Sequence, residues 1–173
     1  MSGCECDIRR VSVEVSDPGA FLKAIRMIGD RWCTRLIFFN AELMAGEAHV
    51  MSALLHAFRA EAAGSMISSR VEMEALLYAA GSRQCQTGMR FGLHEGLNRA
   101  YLCICPPSSG ALGELLPQVV VAETGDAWET ISPEKAGKLA EIFAITPAEL
   151  EAAGPGRLTE LVLERVALLE VYR

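Results

Sequence analysis

The stretch that decides the fold is Ser69-Arg70-Val71-Glu72-Met73-Glu74-Ala75-Leu76-Leu77-Tyr78-Ala79-Ala80-Gly81-Ser82-Arg83-Gln84-Cys85-Gln86-Thr87-Gly88-Met89-Arg90-Phe91-Gly92. Ser69 and Glu72 have the spacing of a capping box, in which the hydroxyl takes the third amide of a helix and the carboxylate reaches back to the cap. A helix is therefore expected to run from there to about Ala80. Gly81 can adopt the left-handed conformation that closes a helix, and Ser82 can cap a second one at once, carrying it through Met89 to Gly92. Upstream, Val50, Ala53, Leu54, Ala57 and Phe58 form one apolar stripe over 47–62, with His49, Ser52, His56 and Arg59 lining the opposite side. That segment reads as a further amphipathic helix, ending near Gly64. Three successive helices with no strand between them break the alternation that a doubly wound α/β fold requires.

Strands appear on either side. Val11, Val13 and Val15 alternate with Ser12 and Glu14, the period-two pattern of a half-buried strand over 8–15. Asp17-Pro18 then supplies a cap and a first-turn proline, and Phe21, Leu22, Ile25 and Ile28 share one face of a helix that stops near Gly29. The apolar run 36–39, bounded by Asn40, reads as a buried strand. So do 101–105, closed by Pro106-Pro107, and 119–122. Ser132-Pro133 and Thr146-Pro147, the latter with Glu149, start helices over 133–143 and 147–153. After Gly154-Pro155-Gly156, helical spacing resumes at Leu158, Leu161, Val162, Arg165, Val166 and Leu169. The expectation is an α+β fold, about four strands in a mostly antiparallel or mixed sheet packed with several helices, in a single domain over 1–173.

Composition agrees with a packed core. Hydrophobic residues make up 51% of the 173 positions against 22% charged, and a chain of this length buries roughly 70% of its unfolded surface. The apolar run at 115–122 is interrupted by Pro117 and Gln118 and falls short of the ~20 residues that a membrane span needs. Residues 1–10 carry Glu5 and Asp7 where a secretory signal has a basic start and an apolar run. A cytoplasmic location with no membrane partner is expected, and with it reduced thiols for the six cysteines. A net charge of −6 confines any nucleic-acid contact to a local basic patch.

Reactive constellations are hard to find. His49 and His56 share a helix face but stand about 10.5 Å apart along the axis at ~1.5 Å per residue, whereas zinc helices place their ligands four residues apart. Exposed polar surface is the stronger reading of both. Cys4-x-Cys6 and Cys103-x-Cys105 are spaced more tightly than zinc-ribbon pairs, and in a strand Cys103 and Cys105 fit as small buried hydrophobes. No G-x-S-x-G, Walker-A or G-x-G-x-x-G motif occurs. Glu72, Glu74, Glu149 and Glu151 are accounted for by caps and solvated faces. No cofactor, metal site or catalytic set is expected. The informative polar group is Arg70, Arg83, Gln84 and Arg90. Arg83, Gln86, Thr87 and Arg90 are helical neighbours, and arginines beside helix N-terminal amides suit a phosphate or an RNA end.

The stretch from Glu74 to Gln84, followed by 88–92, resembles the E-x-L-L-x-x-S/A-G-x-R-Q-I segment of the TPRKB-like kinase-binding subunits of the KEOPS (EKC) complex. Asn40 followed by Gly46, the helix from His49 with small Ala53 and Ala57, and the closing Glu164-Arg165-Val166-Ala167-Leu168-Leu169 are similar to that family as well. Cys85 departs from the usual isoleucine, and Thr87-Gly88-Met89 from a common Ala-Ile pair. The resemblance implies a non-catalytic α+β subunit bound to the Bud-type atypical protein kinase of a complex that makes threonylcarbamoyladenosine in tRNA, with a part in holding the tRNA 3′ CCA end. On that basis Asn40, His49, Arg70, Arg83 and Gln84 are the expected RNA contacts. Kinase docking needs an exposed apolar stripe, and Leu161, Val162, Val166 and Leu169 of the final helix are the expected interface, with internal core as an equal reading of the same residues. Two other classes stay open: a small-molecule-binding regulatory domain with an anion site near Arg83, and an enzyme using the Cys85 thiol.

Overall fold

The computed structural model describes residues 5–122, 126–154 and 156–172. Among the described residues the elements are β1 (Asp7–Val15), α1 (Pro18–Arg31), β2 (Arg35–Asn40), α2 (Glu47–Ala63), α3 (Val71–Ala80), α4 (Cys85–Met89), β3 (Gly96–Cys105), α5 (Ser109–Leu115), β4 (Val119–Val121), a 3-10 turn (Asp126–Trp128), α6 (Pro133–Ile142), α7 (Pro147–Ala153) and α8 (Leu158–Val171). The fold is α+β, as expected. The chain gathers into two compact units: one holds all four strands with α1 and α5, and the other holds the remaining helices.

In the sheet unit the strand order is β2-β3-β1-β4, with every pair antiparallel. Val11 lies opposite Ala100, and Phe38 opposite Leu102, so the alternating valines of β1 share one face with Ala100, Leu102 and Ile104. Ile25 and Ile28 from α1, with Ala111 and Leu115 from α5, close this core. Each fully buried side chain of this size contributes ~1.5–3 kcal/mol. β3 is buried on both sides of its pleat over 100–105 and starts earlier than its apolar run suggests. Helix α5 falls in the Ser/Pro-rich stretch after Pro106-Pro107, where the Ser108 side chain accepts from the Ala111 amide and caps it. Gly110 leaves room for Trp32, since a Cβ there would lie 2.4 Å from the indole.

Cys6 and Cys105 form a disulfide, which corrects the expectation of reduced thiols for this pair. The register that sets Asp7 against Ile104 brings the two cysteines side by side at the ends of neighbouring strands. Cys103 is buried, as a small hydrophobe would be, while Cys33 and Cys85 are exposed. Cys4 of the Cys4-x-Cys6 pair, and Pro155 of the Gly-Pro-Gly break, lie outside the described residues.

In the helical unit α2 packs on α3, and α8 packs on both. Val50, Ala53, Leu54 and Ala57 are buried as the stripe predicted, and the small alanines let neighbouring backbones approach. Gly64 (φ 64°) and Gly81 (φ 58°) take the left-handed position that closes α2 and α3. Thr146 and Glu149 form the expected capping box at α7, and Ser132 caps α6. Helix α2 has no side-chain cap of its own. Its Glu47 amide donates to the carboxylate of Glu129, 3.2 Å away at the nearer oxygen, and Gly46 (φ +100°) admits that carboxylate where a Cβ would sit 2.6 Å from it. Among the described residues no helix is long and apolar enough to cross a membrane.

Candidate functional site

The segment before α3 is organised by a buried carboxylate. Glu74 has no solvent exposure, and its oxygens accept from the Ile67 amide at 3.0 Å, the Ser68 amide at 2.8 Å and the Ser68 hydroxyl at 2.9 Å. A buried carboxylate is tolerable only with such partners. Its reading as a solvated-face residue is corrected. The Ser69–Glu72 capping box does not form either: Arg70 is the cap residue and makes no side-chain cap bond, while Glu72 instead faces Arg70 Nε at 3.6 Å. Glu74 has taken over the work of fixing the chain that enters the helix.

At the other end of α3, the Gly81 amide donates to Tyr78 O and the Ser82 amide to Leu77 O, closing the helix as expected. Ser82 accepts from the Gln84 amide rather than capping a helix from its own position. Helix α4 therefore begins only at Cys85, and Arg83 and Gln84 lie in the turn before it, both exposed. Gly88 presses α4 against α3: a Cβ would meet Met73 Cε at 2.9 Å and Leu77 Cδ2 at 3.0 Å. The Arg83 guanidinium donates through Nη1 to the Tyr172 carbonyl at 3.1 Å, so the end of α8 meets this turn.

The sequence grouped Arg70 with Arg83 and Gln84, and the structure separates it from them. Arg70 is the cap residue at the start of α3 and Arg83 lies three residues past its last, Ala80; a ten-residue helix is ~15 Å long. Arg83 and Gln84 are adjacent, and Arg70 marks the far end of the same helix. Asn40 is half-buried at the close of β2, in the sheet unit.

His49 leaves the surface altogether. It is fully buried, with Nδ1 accepting from the Ala45 amide at 3.0 Å and Nε2 donating to Ala79 O at 2.8 Å. Phe91 and Phe143 meet the ring edge-on. Burial lowers its pKa to about 4; the Ala79 carbonyl pulls the other way and the Lys135 charge adds to the lowering. The physical reason for the correction is that α2 buries a wide arc that takes in His49 beside Val50 and Ala53. A ring enclosed in this way cannot touch RNA. His56 lies nearer the surface, stacked on Tyr78 and bonded to Glu170 at 2.7 Å.

The expected kinase stripe is corrected for a related reason: Leu161, Val162, Val166 and Leu169 are all buried within the chain itself. The outer face of α2 is different. Met51 and Leu55, one turn apart, are 47% and 46% exposed, and Val171 and Tyr172 at the end of α8 are exposed too. Spacing alone could have flagged Met51 and Leu55, whereas Tyr172 carried no signal because its placement depends on where α8 ends. Among the described residues, no group of three or more His, Cys, Asp or Glu side chains is placed to hold a metal ion.

The helical unit thus exposes a guanidinium and an amide at a helix turn and apolar side chains on a helix face. Residues 15–170 match the family model described as kinase binding protein CGI-121, and the chain belongs to that family. No curated protein matches it.

Proposed function

We propose that this protein is the subunit that docks the Bud-type atypical kinase of a KEOPS complex and helps hold the 3′ CCA end of tRNA for threonylcarbamoyladenosine synthesis, with no chemistry of its own, in the cytoplasm. The observation that carries the reading is the family match, which runs through both compact units and supports treating 1–173 as one functional domain. Kinase docking is assigned to the outer face of α2 at Met51 and Leu55, since exposed apolar side chains on one face are what an interface core needs. RNA contact is assigned to Arg83 and Gln84, with Arg70 further along α3 as an outlying contact; Asn40 belongs to the sheet unit and is not counted in this set, nor is the buried His49. An exposed arginine on a protein of net charge −6 favours a confined contact to a strand end over general duplex binding. The alternative of a small-ligand anion site near Arg83 has less support, because the family match speaks for a macromolecular partner and not for a metabolite.

Affinity purification of the tagged chain tests both arms. The wild type should bring down an atypical kinase and tRNA. Leu55→Arg should lose the kinase, and wild-type yield of kinase with that variant would remove the α2 assignment. A metabolite with no macromolecule in the eluate would overturn the whole reading.

A further inference from the structure

The two ends of the Cys6–Cys105 bond are unequally enclosed. Cys105 is 1% exposed at the end of β3, where it also lies opposite Arg35 of β2. Cys6 is half-buried just ahead of β1, next to the exposed Glu5. A thiolate opens a disulfide by attacking one of its sulfurs, and access decides which one. The open side here is that of Cys6. The Cα atoms of the pair are 4.4 Å apart, the close spacing of cross-strand residues that share no backbone hydrogen bonds. Beyond them, β1 and β3 pair at every position from Asp7 to Val15. Breaking the sulfur–sulfur bond therefore removes no rung of the ladder, and the sheet keeps its register while the bond is open.

We propose that Cys6 is a modification site for low-molecular-weight thiols, reached by thiol–disulfide exchange at the Cys6–Cys105 bond. The incoming thiolate bonds to Cys6 Sγ as the bond to Cys105 Sγ breaks, and Cys105 leaves with the electron pair and takes up a proton. A second small thiol attacks the mixed disulfide, releases Cys6 as a thiol and departs with the first as their own disulfide. The reverse steps, with that disulfide as the oxidant, restore the bond. Burial shields the Cys105 thiol from being capped in its turn, and its place opposite Cys6 makes it the group that expels the adduct. The site belongs to the sheet unit and does not depend on the docking reading.

The test uses the full chain carrying Cys33→Ser and Cys85→Ser, which removes the two exposed thiols. The protein is incubated with mixed reduced and oxidised glutathione, quenched in acid and mapped by peptide mass spectrometry. Glutathione on Cys6 should exceed that on Cys105 by on the order of tenfold or more, following access. Cys105→Ser should accumulate the Cys6 adduct, because the expelling thiol is gone, and Cys6→Ser should leave Cys105 unmodified. Hydrogen exchange of the adduct should keep the protection of 100–104. Equal adducts at the two positions, an adduct chiefly on Cys105, or a bond that opens only in denaturant strong enough to unfold the chain would overturn the proposal. So would two thiols in place of the bond after air oxidation. The mapping on the intact pair decides the matter should either variant fail to fold.

Discussion

The two compact units bury polar groups in different ways. Among the described residues, the buried polar side chains of the sheet unit are Thr34 and Asn98, both neutral, while those of the helical unit are His49 and Glu74, both ionisable. Asn98 closes the turn into β3, accepting from the His94 amide and donating to the His94 and Gly96 carbonyls. Thr34 donates to Pro106 O. His49 and Glu74 do comparable work at the starts of α2 and α3, but with an imidazole and a carboxylate. Sheet registers position themselves through backbone ladders, so a neutral side chain suffices at the strand ends. Helix starts leave several amides unpaired, and the segments leading into α2 and α3 are held by the stronger acceptors. Those helices also carry the exposed faces assigned to binding.

The largest effect expected from this contrast is at Glu74. Glu74→Ala strips the partner from two amides and a hydroxyl in a buried setting, and should cost about 3 kcal/mol or more. Chemical denaturation would read this as a lower midpoint; a loss under 1 kcal/mol would mean that the segment is held by other contacts. Next comes acid. The folded-state pKa of His49, about 4, lies below its unfolded value of ~6.5, so the neutral form stabilises the fold and protons favour the unfolded chain. That contribution is complete above pH ~6.5, falls away as pH drops towards 4, and amounts to about 3 kcal/mol at most. His49→Gln, which keeps one acceptor and one donor, should flatten this part of the stability profile, and an unchanged profile would show that other groups set it. The smallest effect is in the sheet unit: Asn98→Ala should cost about 1–2 kcal/mol with no change in pH dependence, and a new pH dependence would erase the contrast.

Much of this architecture could be read from the residues. The alternation in β1, the left-handed glycines at 64 and 81, and the Thr146–Glu149 box are local signals whose causes lie within a few positions. What escaped depends on distant partners. The Cys6–Cys105 bond joins residues 99 positions apart and becomes visible only once the β1–β3 register is known. The Ser69–Glu72 spacing fits a capping box, yet Glu74 outcompetes it because the preceding segment folds back onto its carboxylate. His49 sat opposite the apolar stripe on paper, but α2 is covered over an arc wider than one stripe. At the site, the exposure of Arg83 and Gln84 followed from their place at a turn. The separation of Arg70 followed from simple helix length, and the partnership with Tyr172 needed the path of α8.

The cap of α2 shows one more consequence of distant partners. Its carboxylate, Glu129, arrives 82 residues after the amide it receives, so on a ribosome the helix emerges well before the group that secures its first turn. Chain growth runs from the N-terminus, and the start of α2 must therefore fray until the later segment has been made. Completion of the first turn of the helix that carries Met51 and Leu55 is thus timed by a stretch of chain far downstream.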